Sequence, residues 1–276
     1  MDIEEIRKRA RRIYTLPKDD HNDEKTVIEL LDGPSFLVRT GQTSFYPAYQ
    51  RTYDALTDLA SLKNPGIPRA FFIDKDRTKS TLILSFAPGV TMDIALRDKS
   101  AEEQEKLGEK SGILLQAMHS LIPEVREDFG DWEMAFKKTI SDYIELSLYL
   151  KGEKELISFI LASMHKVVYD NSPAYVHGGI DLPNFVWEPN GNVCLVDFTD
   201  IRVFDPYYDF ALVESRIAPV SPAFANGLIS GYFKNGIPPI GFFTAFAFYS
   251  ATTGLRPTAA KCHSAKPPEG LAVFKQ

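Results

Sequence analysis

The stretch YVHGGIDLPNFVW, residues 175–187, decides how the rest of the chain is read. An apolar strand end, Tyr175-Val176, runs into His177-Gly178, and Asn184 follows seven positions after the histidine. Two short apolar runs, FVW and VCLVDF, flank Pro189-Asn190-Gly191, a turn signature that predicts a β-hairpin. The second run ends at Asp197, and acidic residues return at Asp205 and Asp209. Asn184 and Asp197 are thereby expected at adjacent strand ends. Two hard oxygen ligands there suit magnesium, an ion that keeps several of its waters.

The chain of 276 residues is long enough for one large domain or two packed lobes. Its composition, 44% hydrophobic and 25% charged, is that of a globular protein. A net charge of −6 argues against nucleic acid or an anionic membrane as partner. Cys194 lies inside the apolar run NVCLVDF, and no spacing of cysteines suggests a metal site. A buried, reduced thiol in a cytoplasmic setting is expected. The N-terminal MDIEEIRKRARRIY lacks the apolar centre of a signal peptide. The most apolar stretch, IPPIGFFTAFAFYSATTGL (237–255), is broken by proline and glycine and does not read as a bilayer span.

Residues 4–14 have the period of a short amphipathic helix. KTVIELLDGPSFLVRTG (25–41) reads as two strands about Asp32-Gly33-Pro34, and YPAYQRTYDALTDLASL (46–62) carries Tyr49, Tyr53, Leu56 and Leu59 at helical spacing. IPRAFFID (67–74) and STLILSFAPG (80–89) add strands, the last stopping at a Pro-Gly that suits a hinge near 85–91. The charge-dense PKDDHNDEK (17–25) reads as a solvated loop. Beyond the hinge, Ser100 and Glu103 form a capping-box pattern, and Leu107, Ile113, Leu114, Ala117 and Met118 form an apolar face. Further helices are expected over 131–149, 153–168, 208–217, 222–234 and 240–253. The expected class is α+β, with a small antiparallel-sheet lobe over 1–86 and a mainly helical lobe over 87–276 that carries the segment 175–211.

The order of these motifs resembles the aminoglycoside phosphotransferase and choline-kinase-like family, small-molecule relatives of the protein kinases. That family reads H-G-D-x-x-x-x-N, a hairpin, a metal-binding Asp-Phe, then G-D-P and a Y-D-L-A-like helix start. Here the matching residues are His177-Gly178-Gly179, Asn184, Asp197-Phe198, Asp205-Pro206 and Tyr208-Asp209-Phe210-Ala211. LILSFAPGVTM resembles the family's hinge strand, and KLGEKSGILLQAMHSL its Leu-Gly…Leu-His helix. The resemblance implies a two-lobed protein-kinase-like fold with its site in the interlobe cleft. It implies Mg and ATP as cofactors, Asn184 and Asp197 as metal ligands, and Arg39 with both as nucleotide-binding residues. Asp209 is implied to brace the loop from behind, and His177 and His119 to be structural.

Two departures stand out. Gly179 occupies the place of the aspartate that takes the acceptor's proton, and glycine has no group to do so. Asp181 is two positions on, a displacement of several ångströms at ~3.3 Å per residue, against a tolerance nearer ~1 Å at a reacting centre. Its simpler role is to bond local backbone amides. The helix glutamate that should pair with the phosphate-gripping cation is replaced, on alignment through Leu56 and Leu59, by Thr52, with Arg51 before it. No glycine-rich loop is visible between 15 and 35. The leading expectation is therefore a family member that has lost ordinary ATP-dependent transfer and uses the cleft to bind or transform a small molecule, with Asp181, His177 and Asp197 as its candidate catalytic groups. The alternative is an active ATP/Mg-dependent O-phosphotransferase of a small hydroxylated compound. A third class, a protein-interaction scaffold, predicts no deep pocket.

Overall fold

The computed structural model describes residues 3–17, 23–124, 152–167 and 172–261, together with 134, 137, 138, 140 and 141. The chain begins with helix α1 (Ile3–Lys8) and strands β1 (Ala10–Thr15), β2 (Glu24–Leu30) and β3 (Ser35–Gln42). Helix α2 (Tyr46–Leu59) and strands β4 (Ala70–Lys75) and β5 (Lys79–Ser85) follow. The five strands make one antiparallel sheet in the order β1-β2-β3-β5-β4. The helix expected over 4–14 ends at Lys8, and Ala10–Thr15 pair with β2 instead, Ile13 opposite Ile28. Helical preference differs by only a few tenths of a kcal/mol per residue, and the ladder offered by β2 outweighs it.

Alternation along β3 sorts its side chains between two faces. Phe36 and Val38 join Ile6, Ile28 and Ile83 in a small outer core. Leu37 and the buried Arg39 belong to the other face, toward α2 and the main core. That main core runs without a break from Leu56, Leu59, Leu82 and Leu84 through Leu114 and Leu115 to Phe185, Leu195, Phe198 and Phe224.

After the sheet, β6 (Val90–Thr91) and the short α3 (Met92–Ala95) lead to α4 (Ala101–His119). At Gly89 an added Cβ would sit 2.3 Å from the Trp187 carbonyl oxygen, so the chain can pass there only as glycine. The capping box forms as expected: Glu103 N–H donates to Ser100 Oγ at 3.3 Å, and Ser100 N–H donates to Glu103 Oε2 at 2.9 Å. The buried face of α4 holds Leu107, Leu114 and Met118, as expected, but also Leu115, whereas Ile113 is exposed. Helix α5 (Glu153–Val167), β7 (Ala174–Val176), β8 (Phe185–Trp187), β9 (Val193–Leu195) and β10 (Arg202–Phe204) follow, then α6 (Pro222–Tyr232) and α7 (Ile240–Lys261). Of the helix expected over 131–149, the described residues 134, 137, 138, 140 and 141 are helical, while Trp132, Phe136, Tyr143 and Tyr149 lie outside the described residues, as does Cys262.

The region expected as a helix over 208–217 is a 3-10 turn (Pro206–Phe210) followed by a single π turn (Val213–Ile217). The carboxylates of Asp205 and Asp209 bind backbone amides of this turn and of the loop at 177–178, which holds the segment away from a regular helix. Helices α4 and α6 meet backbone to backbone through glycines four residues apart on each, Gly108 and Gly112 facing Gly227 and Gly231. A Cβ on Gly112 would lie 2.1 Å from Leu228 O, and one on Gly231 2.1 Å from Glu109 O. Among the described residues no helix is long and apolar enough to cross a membrane.

Candidate active site

The loop after β7 is held from beneath by one buried carboxylate. Asp209 accepts hydrogen bonds from the backbone N–H of His177 (2.8 Å) and of Gly178 (2.7 Å), and its Oδ2 lies 3.0 Å from His119 Nε2. Burial alone would raise its carboxyl pKa; the hydrogen bond and charge of His119, with His177 and the Gly178 amide, outweigh it and hold the group below the ordinary range. His119 is fixed in turn by Tyr232, Nδ1 to OH 3.0 Å. The His177 ring is buried against Phe198 and places Nε2 2.8 Å from the Val196 carbonyl, tying the loop to the strand before Asp197.

The hairpin brings Asn184 and Asp197 together. β8 and β9 pair Phe185 with Leu195, and Val196 N–H donates to the Asn184 carbonyl at 2.8 Å. Thus the two side chains leave neighbouring strand ends. Asp197 is left-handed (φ 64°, ψ 64°), a conformation that costs a non-glycine residue roughly 1–2 kcal/mol. It turns the carboxylate out of the strand, where the side chain keeps 23% of its surface exposed. The side chain of Asn184 makes no hydrogen bond among the described residues.

Arg39 is the centre of the site and is only 2% exposed. Its Nε donates to Asp23 Oδ2 at 2.6 Å, and its Nη1 to Asp197 Oδ1 at 3.1 Å and Thr199 Oγ1 at 2.6 Å. Tyr49 OH, from α2, donates to the same Asp23 oxygen at 2.7 Å. Burial pushes the Asp23 carboxyl up, but Arg39 and Tyr49 more than reverse this and hold it below the ordinary carboxylate range. Lys25 Nζ lies 3.8 Å from Asp197 Oδ2, so among the described residues two cations face two carboxylates here. Thr52 has a different task from an ion pair. Its hydroxyl lies 3.0 Å from the Phe198 carbonyl, pinning α2 to the segment that carries Asp197.

The loop position opposite is open. A Cβ on Gly179 would meet nothing within 4 Å. Asp181 faces elsewhere: Oδ1 accepts from Leu182 N–H at 2.7 Å, capping a 3-10 turn, and Oδ2 pairs with Arg216 at 3.2 Å. Beside the loop, a cavity of about 180 Å³ is lined by Gly179, Ile180, Tyr208, Asp209, Leu212 and Thr253.

The model of the phosphotransferase enzyme family matches residues 17–243, which contain every group just described except Thr253 of the cavity. The chain belongs to that family. Solved structures agree on the fold. The choline kinase LicA of Streptococcus pneumoniae is similar with a TM-score of 0.63 at 14% identity, over 96% of this chain and 91% of that one. An aminoglycoside phosphotransferase of Streptomyces rimosus, in complex with ADP and streptomycin, has a TM-score of 0.59 at 18% identity, covering 86% of this chain and 93% of that one. Spectinomycin phosphotransferase, in complex with ADP and spectinomycin, has a TM-score of 0.64 at 11% identity, covering 91% and 82%. The fold of this family member is therefore the protein-kinase-like α+β fold. No curated protein matches the chain.

Magnesium and a nucleotide are the groups this family implies, and the residues fit them. Asn184 retains an unengaged amide, Asp197 an exposed carboxylate edge, and Arg39 Nη2 is a buried donor with no partner among the described residues. Among those residues no group of three or more His, Cys, Asp or Glu could hold a metal alone, which suits an ion that takes its other ligands from phosphate and water.

Sequence reading missed Asp23, Tyr49, Lys25 and Thr199. Asp23 was expected in a solvated loop, yet it is 1% exposed. The signal was present but indirect: with Lys25 opposite Arg39 in the hairpin, Asp23 becomes Arg39's diagonal neighbour on the same face. Cys194 is buried, and burial with the nearby Glu188 pushes its thiol up to about 12, consistent with an unreactive thiol.

Proposed function

We propose that the chain is an ATP- and magnesium-dependent O-phosphotransferase acting on a small hydroxylated molecule in the cleft between the lobes 1–86 and 87–276. The observation that carries this reading is the Asp23–Arg39 pair. Loss of function was expected from two departures, Gly179 and Thr52. The second is made good, because Asp23 supplies the carboxylate that the helix lacks, at 2.6 Å and fully buried.

In this reading Asn184 and Asp197 hold magnesium, which when bound neutralises charge on the phosphates. Arg39, clamped by Asp23, presents Nη2 toward phosphate oxygen. His177 and Asp209 hold the loop in shape, and Asp181 caps it. The cavity beside Gly179 supports an acceptor group of modest size. Calorimetric titration with Mg·ADP and Mg·ATP tests the proposal: micromolar-range binding, weakened at least about tenfold by Asp197→Ala, is expected. No binding of either nucleotide would sink it.

The rival reading, a family member whose cleft serves a different task, is favoured by one observation. Asp181, the nearest acid in sequence to the open position, is committed to Arg216 and the Leu182 amide. It predicts no Mg·ATP-dependent phosphate incorporation into a small molecule, and the absence of nucleotide binding would leave it standing alone.

A further inference from the structure

In the phosphotransferase reading Arg39 meets phosphate, and we propose that Lys25 is a second phosphate-binding residue, gripping the outer phosphates of the nucleotide. The inference rests on that reading. The resemblance assigned a cation at position 39 and nothing at position 25; strand register brings the two together. Lys25 in β2 stands directly opposite Arg39 in β3. Opposed residues of an antiparallel pair share one face of the sheet, with Cβ atoms ~4.5–5.5 Å apart, and like charges so placed repel. Such a pair calls for anions. Arg39 takes Asp23 Oδ2 at 2.6 Å and Asp197 Oδ1 at 3.1 Å, while Lys25 Nζ lies 3.8 Å from the other oxygen of Asp197.

Asp197 is the proposed metal-side carboxylate, and a metal ion there changes the charge around Lys25. Two cations and a divalent ion against these two carboxylates leave an excess of about two positive charges, which an anion must offset. At 3.8 Å the contact of Lys25 with Asp197 is longer than a hydrogen bond, so it spends none of the ammonium's N–H donors on that carboxylate. Magnesium holds its ligands octahedrally at ~2.1 Å, which sets neighbouring ligand oxygens ~3 Å apart. A phosphate oxygen sharing the ion with Asp197 therefore falls within reach of an ammonium already 3.8 Å from that residue.

The two cations suit different tasks. Arg39 is fixed by Asp23, Asp197 and Thr199, and its Nη2 is the one guanidinium nitrogen left without a partner among the described residues. A phosphate group offers more acceptor oxygens than that nitrogen can satisfy. Lys25 carries its charge on a flexible four-carbon stem, so its head can follow the phosphates while Arg39 stays clamped. Its side chain is only 12% exposed, and a charge so placed is little screened by salt.

Calorimetric titration of the full chain with Mg·ATP, Mg·ADP and AMP tests this. In Lys25→Met the Mg·ATP and Mg·ADP affinities should fall at least about tenfold while that for AMP stays within about twofold. Lys25→Arg, which keeps the charge, should recover most of the loss. A loss shared equally by AMP defeats the assignment, because it reports on the pocket as a whole. Mg·ATP and Mg·ADP binding that is unchanged or tighter in Lys25→Met also defeats it: Lys25 is then only a counter-charge to Asp197, and the nucleotide reading stands. If Lys25→Met does not fold, or AMP binds too weakly to titrate, a crystal structure of the parent's Mg·ADP complex decides. Nζ within ~3.2 Å of a phosphate oxygen supports the assignment, and Nζ turned away from both phosphates defeats it. A parent that binds no nucleotide defeats both readings.

Discussion

Two parts of the site depart from the pattern that the resemblance leads one to expect, and their surroundings differ. On the sheet side, where Thr52 stands in the helix, Asp23 pairs with Arg39 and both groups are buried. On the loop side, a Cβ on Gly179 would meet nothing within 4 Å. Burial is the difference. A guanidinium sealed from water without a counter-charge costs the fold several kcal/mol, so a replacement partner is required for folding itself. An open, solvated position makes no such demand, and only catalysis would notice its loss.

The contrast can be broken by substitution. Asp23→Ala strips the buried cation of its fully buried partner, leaving it the part-exposed Asp197, and should cost about 3–5 kcal/mol in chemical denaturation, with nucleotide affinity falling as well. A smaller loss would mean that Asp197 alone compensates the charge of Arg39. Next in size, Gly231→Ala drives a methyl into the Glu109 carbonyl, and separating α4 from α6 should cost about 1–3 kcal/mol, read from the urea midpoint. Thr52→Val removes the pin between α2 and the Phe198 carbonyl. Because Ile201 N–H also reaches that carbonyl, at 3.3 Å, about 1 kcal/mol is expected. Gly179→Asp belongs at the other end of the scale, with stability changed by no more than about 0.5 kcal/mol.

Acid sharpens the same comparison. The Asp23 and Asp209 carboxyls both lie below the ordinary range in the folded chain. Their stabilisation is therefore complete above the ordinary aspartate pKa of about 4 and is lost as pH falls through the lowered folded values. Melting temperature should drop steeply below pH ~4, and Asp23→Asn should flatten part of that slope. The Gly179→Asp variant should follow the parent's slope, since its new acid has no partner to lose.

Much of the molecule was legible in the residues. The hairpin about Pro189-Asn190-Gly191, the Ser100–Glu103 cap and the apolar faces of α2 and α4 are short-range patterns, and each element formed where its pattern lay. Errors fell where partners distant in sequence decided the outcome. Ala10–Thr15 became a strand because β2 was there to pair with, and 206–217 became tight turns because Asp205 and Asp209 are bound to distant groups.

By itself the sequence determined the order of the motifs, the adjacency of Asn184 and Asp197, and the absence of a side chain at 179, since spacing and turn chemistry are local. Only the tertiary structure decided which acid is buried against Arg39. Asp23 is an ordinary surface-type residue in a linear reading, and it acquires its chemistry from strand register, which joins what the chain keeps apart.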